Sequence, residues 1–297
     1  MEKRNDSIDV VKGFLIICVI LGHVLLGAIS ENKTRGVIYS FHMPLFLFIS
    51  GYMINLARLL ALSFKDIFNK YSGRMLKAWL VAYIVFSAYQ VLCEPSIKQV
   101  VGLVYSPWYH LWYVPTLFCY ILMCKFLFSK TSVKLSYSIS ILVFIVWVVI
   151  DHVKPINMPR WCDCSQLPYF MLGLFLKNHF HSLKFRKTYV VVPILYIPLL
   201  FALQYVSFNK YGVIQSLLLL VVIMLFLYPA VVNDSIPKSK VLSLIGQNSL
   251  EIYLWHMIPV LLLKNFVSGA SVYYYYAISF MLLFLFVLFI NLRKTEQ

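Results

Sequence analysis

The first apolar stretch of the chain contains two ionisable residues whose types and spacing suit proton transfer. His23 lies within the run from Ile8 to Leu26, and Lys12 precedes it by eleven positions. Because a helix turns by about 100° per residue, Lys12 and His23 share one stripe of a helix, about 16 Å apart along its axis. A neutral imidazole can take a proton from a hydroxyl nucleophile, so His23 is the candidate catalytic residue. The alternative is a buried imidazole that only joins two helices by a hydrogen bond.

Polar residues of the second apolar stretch are candidates for binding a substrate. Ser40 and His42 open this stretch, and Ser50 followed by Gly51 stands near its end. Because Pro44 lacks an amide hydrogen, we expect the backbone near His42 to depart from a regular helix. The small residues Ser50 and Gly51 allow a neighbouring helix or a ligand to approach closely, and helix packing alone explains them equally well.

Three further residues are weaker candidates for substrate binding. Asp9 lies three positions before Lys12 and can form an ion pair with it on one helix face. Trp112 and His256 stand in later apolar stretches, where interfacial anchoring or an inter-helix hydrogen bond explains them as well as function does. No pair of histidines has the spacing of a metal site, so we expect no bound metal.

A basic segment, which we expect to be a cytoplasmic loop, connects the second and third apolar stretches. It contains Lys65, Lys70, Arg74 and Lys77. One interpretation is contact with anionic lipids on the cytoplasmic side of a membrane. The other is a binding surface for a phosphate-bearing ligand, because arginine and lysine are the usual phosphate ligands in proteins.

The elements that must position these residues are membrane helices. Of the 297 residues, 61% are hydrophobic and only 12% are charged, whereas an ordinary soluble domain has about a quarter charged. We therefore predict an all-α polytopic membrane protein with about ten spans. The apolar stretches that predict these spans are 8–29, 36–58, 77–94, 110–128, 135–152, 165–181, 189–207, 211–230, 248–267 and 272–292.

The distribution of positive charge predicts the orientation of these spans. The net charge is +15, and 19 of the 26 lysines and arginines fall on one side of the predicted spans, with 7 on the other. Because cytoplasmic loops carry the excess of positive residues, we expect both termini to be cytoplasmic. Topology and contact with the lipid bilayer account for most of the charge, so we expect no nucleic-acid partner.

A resemblance to a known family is carried by the segments Ile8–His23, Ser40–Tyr52 and Asn248–His256, with His110–Tyr113 as a weaker fourth match. Together they resemble the acyltransferase family 3 membrane domain, whose members are O-acyltransferases that modify bacterial surface sugars. The first segment is similar to that family's helix with a basic residue eleven positions before a histidine, and Arg74-x-x-Lys77 resembles its Arg-x-x-Arg element. Lys12 and Lys77 depart from the more usual arginine, and a lysine cannot make the bidentate fork to a phosphate.

The resemblance implies an activity and a set of roles. The acyl donor of the family is cytoplasmic acetyl-CoA, or occasionally another acyl-CoA. The acceptor is a sugar hydroxyl of a surface polysaccharide or of its lipid-linked precursor. His23 would be the catalytic histidine, either as general base or as a transient carrier of the acyl group. The residues expected to bind acetyl-CoA are Lys12, Lys70, Arg74 and Lys77, and those expected to bind substrate are Asp9, Ser40, His42, Ser50, Trp112 and His256.

The expected organisation is a single transmembrane acyltransferase domain over residues 1–297, with no appended soluble domain, in the cytoplasmic membrane of a bacterium. No cofactor is expected to be held permanently, and the sequence leaves the oligomeric state open. The alternative function is a membrane carrier of a small solute or a lipid-linked sugar, with His23 and Lys12 lining a polar route. Paired broken helices in an internal repeat would favour a carrier, and no clear repeat is visible in the sequence.

Overall fold

The computed structural model describes residues 5–29, 31–93, 95–105, 107, 110–153, 161, 163–180, 184–206, 212–266 and 272–295, and every regular element in these ranges is helical. In chain order the α-helices are α1 (Asp6–Val24), α2 (Lys33–Tyr52), α3 (Leu56–Ala61), α4 (Phe64–Tyr71), α5 (Lys77–Cys93), α6 (Ile97–Tyr105), α7 (Tyr113–Lys130), α8 (Val133–Val153), α9 (Leu167–His179), α10 (Val191–Val206), α11 (Gly212–Val222), α12 (Tyr228–Val232), α13 (Lys240–Gln247), α14 (Ser249–Trp255), α15 (Met257–Phe266) and α16 (Val272–Thr295). Two π-helical turns, Ser72–Leu76 and Ile223–Leu227, join α4 to α5 and α11 to α12.

Six helical segments in the described ranges are long and apolar enough to cross a membrane. They are Asp6–Val24, Phe64–Cys93, Tyr113–Lys130, Val133–Ile150, Lys187–Gln204 and Ile214–Val232. The predicted all-α class with several membrane-length helices is thus confirmed. The stretches predicted at 36–58, 165–181, 248–267 and 272–292 also contain helices, but those are shorter, interrupted or less apolar, so the count of about ten spans stays a prediction.

The chain divides into two compact units. The first unit comprises residues 1–46 and 182–297, and the second unit comprises residues 47–181. The boundary falls inside α2, between Phe46 and Leu47.

In the first unit, α1 packs closely against α13 through a pair of glycines. A Cβ on Gly13 would overlap the carbonyl oxygen of Leu242, and a Cβ on Gly246 would overlap that of Asp9. The backbones of the two helices are therefore in direct contact, which is how small residues act between membrane helices. This crossing fixes the axis of the helix that carries His23.

The first turn of α1 is tied to the region around the end of α12. Asn5 caps α1 by accepting a hydrogen bond from the amide of Ile8, and its Nδ2 donates to the carbonyl of Val231 at 2.7 Å. The hydroxyl of Ser7 donates to Oδ1 of Asp234 at 2.8 Å. Helix α1 is thus held at its start as well as at its glycine crossing.

Helix α2 corrects one expectation. It runs unbroken from Lys33 to Tyr52 with Pro44 inside it, so the departure predicted near His42 is wrong. Pro44 removes the amide that would bond the carbonyl of Ser40. In apolar surroundings the loss of any further backbone hydrogen bond is costly, so the helix continues past the single missing one.

The basic segment is a second correction, because it is helical and not a loop. Helix α4, the π turn Ser72–Leu76 and α5 form one continuous helix over Phe64–Cys93. Arg74 lies in the π turn, which the amide of Lys77 closes on the carbonyl of Ser72. Single π turns inside α-helices are frequent at functional sites.

In the second unit, α9 crosses the end of α2 through another pair of glycines. A Cβ on Gly51 would overlap the carbonyl oxygen of Phe170, and a Cβ on Gly173 would overlap that of Phe48. The close backbone approach that was predicted at Gly51 is confirmed, and its occupant is a neighbouring helix.

Candidate active site

His23 lies in the last turn of α1, beside other rings of the first unit. The centroid of its imidazole is 5.1 Å from that of His256 and 6.1 Å from that of Tyr39. The hydroxyl oxygen of Tyr39 is 3.4 Å from Nδ1 of His23, and the ring of Tyr39 is 5.1 Å from that of His42. We refer to His23, Tyr39, His42 and His256 as the histidine cluster. The structure therefore brings together three residues that the sequence singled out from three separate stretches.

In two members of the histidine cluster, a hydrogen bond to a backbone carbonyl determines which ring nitrogen carries the hydrogen. Nδ1 of His42 is 2.6 Å from the carbonyl oxygen of Ile38, and Nδ1 of His256 is 2.8 Å from that of Tyr253. A carbonyl oxygen can only accept, so Nδ1 of each ring carries a hydrogen and donates it. In the neutral ring the lone pair is then on Nε2. Both residues are buried, so their orientation is set by their own helices.

His256 stands where the chain interrupts a helix. Helix α14 ends at Trp255 and α15 begins at Met257. Pro259 lacks the amide hydrogen that would bond the carbonyl of Trp255, and its ring disfavours a regular helix at that carbonyl. Pro259 therefore accounts for the interruption. The imidazole of His256 donates a hydrogen bond to the carbonyl of Tyr253, in the last turn of α14.

Tyr39 is positioned by a glycine of α1 and by a cation of its own helix. A Cβ on Gly22 would lie 2.8 Å from Cε2 of Tyr39, so the glycine next to His23 leaves room for the ring. Cζ of Arg35 is 5.4 Å from the centroid of the Tyr39 ring, within the range of a cation–π contact. Sequence reasoning missed Tyr39. Its signal was the spacing of Arg35, Tyr39 and His42, four and three positions apart, which places all three on one face of α2.

Lys12 and Asp9 form the ion pair that their spacing predicted, with Nζ of Lys12 at 3.9 Å from Oδ1 of Asp9. The side chain of Asp9 is buried and that of Lys12 is 20% exposed, so the cation lies at the edge of the unit. Because α1 is continuous from Asp6 to Val24, Lys12 lies about 16 Å from His23 along the helix axis, and Asp9 about 21 Å. Neither residue joins the histidine cluster.

Three other residues predicted to bind substrate have different surroundings. The hydroxyl of Ser40 donates to the carbonyl of Val37 at 2.7 Å, within α2. Ser50 belongs to the second unit, where its Oγ is 2.7 Å from the hydroxyl of Tyr113. Trp112 packs against the core of the second unit, with its ring 6.4 Å from that of Tyr113.

The cations predicted to bind a phosphate-bearing ligand lie along the continuous helix of the second unit. Lys70, Arg74 and Lys77 are all exposed. Nζ of Lys70 is 5.5 Å from the centroid of the neighbouring Tyr71 ring, within the range of a cation–π contact. The three cations are accessible to an anionic ligand.

The histidine cluster contains the groups that acid–base chemistry requires. A hydroxyl nucleophile beside His23 can give its proton to the imidazole, and a tyrosine hydroxyl next to Nδ1 can orient the ring. In the described part of the chain, no group of three or more histidine, cysteine, aspartate or glutamate residues could hold a metal ion. Imidazole side chains can act in proton transfer or as nucleophiles.

Residues 5–292 match the sequence profile of a family described as "Acyltransferase domain". The chain therefore belongs to this acyltransferase family, as its motifs predicted. Its apolar helices and its family make it a membrane protein. The predicted enzyme class, an acyltransferase for groups other than aminoacyl, is confirmed at the level of the family.

A short segment of the chain is also similar to Nodulation protein NolL of Sinorhizobium fredii (strain NBRC 101917 / NGR234). The two sequences are 46% identical over 59 residues. The match covers 18% of this chain and 16% of NolL, so it relates only a small part of each protein. No solved structure matches the chain significantly.

Proposed function

We propose that this chain is an integral-membrane O-acetyltransferase. It transfers an acetyl group from acetyl-CoA to a sugar hydroxyl of a bacterial surface polysaccharide or of its lipid-linked precursor. The observation that carries the proposal is the position of His23. It lies in ring contact with His256 and beside the hydroxyl of Tyr39, in a chain that matches the acyltransferase family from residue 5 to residue 292.

In the proposed reaction His23 acts as the general base. Its Nδ1 hydrogen is donated to the oxygen of Tyr39, which leaves the lone pair on Nε2. Nε2 takes the proton of the sugar hydroxyl while the sugar oxygen bonds to the carbonyl carbon of the thioester, and the carbon–sulfur bond breaks. The imidazolium then gives this proton to the departing thiolate. The products are the O-acetyl sugar and CoA, and His23 is neutral again.

A second route uses the same residue as a nucleophile. Nε2 of His23 bonds to the thioester carbonyl carbon, and the carbon–sulfur bond breaks to release the CoA thiolate. The sugar oxygen then bonds to the acetyl carbon as the bond to Nε2 breaks, and the hydroxyl proton passes to the thiolate. Rapid quenching followed by mass spectrometry of the peptide that carries His23 separates the two routes. An acetyl adduct that forms and decays at the turnover rate indicates the nucleophilic route.

The candidate ligands of the donor phosphates are Lys12 in the first unit and, taken separately, the exposed cations Lys70, Arg74 and Lys77 in the second unit. Phosphate groups of CoA are anions that arginine and lysine bind by charge-assisted hydrogen bonds. Asp9 orients Lys12 through their ion pair. For the acceptor, the candidate binding residues are Ser40, His42 and His256 in the first unit and, taken separately, Ser50 and Trp112 in the second unit.

We place the protein in the cytoplasmic membrane of a bacterium, with about ten spans and both termini in the cytoplasm. Six membrane-length helices and the 19 to 7 division of lysines and arginines support this topology. Under it, Lys12 lies at the cytoplasmic end of α1, where acetyl-CoA arrives, and His23 lies at the opposite end of the same helix.

Two variants of purified protein test this proposal. His23→Gln is assayed with radiolabelled acetyl-CoA and with surface polysaccharide from a strain that lacks the gene. We expect transfer to fall at least about a hundredfold, the usual contribution of a catalytic base, while acetyl-CoA binding is retained. The matched control is His179→Gln, an exposed histidine of the second unit, which should keep the wild-type rate. Wild-type transfer by His23→Gln would overturn the proposal.

A further inference from the structure

Gln204 is a buried amide in the first unit whose hydrogen-bonding capacity the proposed chemistry does not yet use. It lies near the end of α10 and is 3% exposed. Among the residues that the structure describes, its Nε2 has no hydrogen-bond partner. A buried amide without a partner costs free energy, so such a group persists either as a defect or because a ligand completes it.

Gln204 contacts α2 through its side chain and through its backbone. A Cβ on Gly36 would lie 2.8 Å from Oε1 of Gln204, so the amide rests directly on the glycine. Nζ of Lys33 donates to the backbone carbonyl of Gln204 at 2.6 Å, which ties the end of α10 to the first turn of α2. The amide is therefore held against α2 by its surroundings.

The face of α2 that contacts Gln204 also carries Tyr39, a member of the histidine cluster. Gly36 and Tyr39 are three positions apart, so they share one helix face and are about 4.5 Å apart along the axis. The hydroxyl of Tyr39 lies 3.4 Å from Nδ1 of His23. The glycine that the Gln204 amide contacts is thus about one helical turn from the residue that contacts the proposed base.

The direction of α1 indicates which substrate the amide meets. Gly36 and Lys33 lie in the first turns of α2, which follows α1 after a short connection, so they adjoin the His23 end of α1. Lys12 lies at the other end, about 16 Å from His23. If the donor phosphates bind at Lys12, a ligand at Gln204 belongs to the acceptor.

We propose that Gln204 is part of an acceptor subsite, in which its Nε2 donates a hydrogen bond to an oxygen of the sugar ring beside the hydroxyl that is acetylated. This inference rests on the proposed function and deepens it. The ligand class is an oxygen-rich sugar, because the group that lacks a partner among the described residues is a hydrogen-bond donor. No bond forms or breaks at Gln204, which positions the acceptor.

The test uses two variants in which leucine replaces a buried glutamine. Gln204→Leu removes the amide, and the matched control Gln215→Leu removes a second buried amide, on α11, whose Nε2 also has no partner in the described ranges. Each variant complements a deletion strain, and the O-acetyl content of the surface polysaccharide is measured by NMR at equal protein level. The affinity of the purified protein for acetyl-CoA is measured alongside. In a third variant, Gly36→Ala, a Cβ displaces the amide without removing it.

For Gln204→Leu we expect a fall of at least about fivefold in O-acetylation, equivalent to the loss of about 1 kcal/mol at 1.4 kcal/mol per tenfold change. Affinity for acetyl-CoA should stay within about twofold of wild type. Gln215→Leu should match wild type in both measurements, and Gly36→Ala should reduce O-acetylation as Gln204→Leu does.

Three results overturn the inference while leaving the proposed function intact. They are wild-type O-acetylation by Gln204→Leu, an equal loss in Gln215→Leu, or a parallel loss of acetyl-CoA affinity in Gln204→Leu. A different result refutes the proposed function and this inference with it, namely a deletion strain whose polysaccharide keeps its full O-acetyl content.

Discussion

Removing one oxygen atom from Tyr39 tests whether this residue orients His23. In Tyr39→Phe the ring is retained, so its contacts with His42, Gly22 and Arg35 are preserved. Only the hydroxyl beside Nδ1 of His23 is lost. The variant therefore changes the orientation of the base while leaving the packing of the histidine cluster in place.

The size of the effect follows from the geometry of this hydrogen bond. An intramolecular hydrogen bond makes a net favourable contribution of about 0.5–1.5 kcal/mol, because its groups would otherwise bond to water. The oxygen–nitrogen distance of 3.4 Å is long, so we take the lower part of this range, about 0.5–1 kcal/mol. This corresponds to a fall of roughly two- to fivefold in kcat. The KM for acetyl-CoA should not change, because donor binding does not depend on the hydroxyl.

The assay is steady-state transfer from acetyl-CoA, together with ¹⁵N NMR of histidine-labelled protein, which reports which ring nitrogen carries the hydrogen. In wild type we expect hydrogen on Nδ1 of His23, and in Tyr39→Phe a mixture of the two forms. The control is Tyr83→Phe, which also loses a hydrogen-bonded hydroxyl, at 3.0 Å from the carbonyl of Leu103 in the second unit. An unchanged kcat and an unchanged NMR spectrum in Tyr39→Phe would refute the orienting role. So would an equal loss of kcat in Tyr83→Phe.

Three further predictions concern the helix crossing and the donor cations. Gly246→Ala places a Cβ on a backbone carbonyl of α1 and should destabilise the fold by about 1–3 kcal/mol, measured as a lower melting temperature in detergent. Gly102→Ala, with open space at its Cβ, is the control, and equal melting temperatures would contradict the crossing. Lys12→Gln should raise the KM for acetyl-CoA roughly tenfold, whereas Lys12→Arg keeps the charge and should keep the wild-type KM. Similar KM values for the two variants would show that Lys12 does not bind the donor. Arg74→Gln should weaken acetyl-CoA binding and reduce its dependence on salt concentration, measured by titration calorimetry at two salt concentrations, and the exposed Arg58→Gln should do neither.

Local patterns in the sequence predicted those features that depend on neighbouring residues in the chain. The apolar stretches predicted membrane-length helices, and the spacing of Asp9 and Lys12 predicted their ion pair. Small side chains at Ser50 and Gly51 predicted a close backbone approach, which α9 makes. Each of these features follows from helix geometry and residue size alone.

Features that depend on which helices meet were not predictable from periodicity. His23 and His256 were each singled out, yet no pattern in the chain states that their rings lie 5.1 Å apart. Tyr39 was overlooked because its role appears only when α1 packs against α2. The break predicted near Pro44 was wrong, because the general penalty of a proline says nothing about how strongly the surrounding backbone bonds hold the helix together.

The hydrogen bonds of Asn5 and Ser7 join the start of α1 to residues that the ribosome adds much later. Asn5 and Val231 are separated by 226 positions, and ribosomes add about 5–20 residues per second. Roughly 10–45 s therefore pass between the synthesis of Asn5 at the start of α1 and that of Val231 in α12. His256 emerges later still, so a nascent chain that stalls before this point carries His23, Tyr39 and His42 without the fourth member of the cluster. The histidine cluster is thus complete only after residue 256 has been added, and translation products that end before it lack one of its four rings.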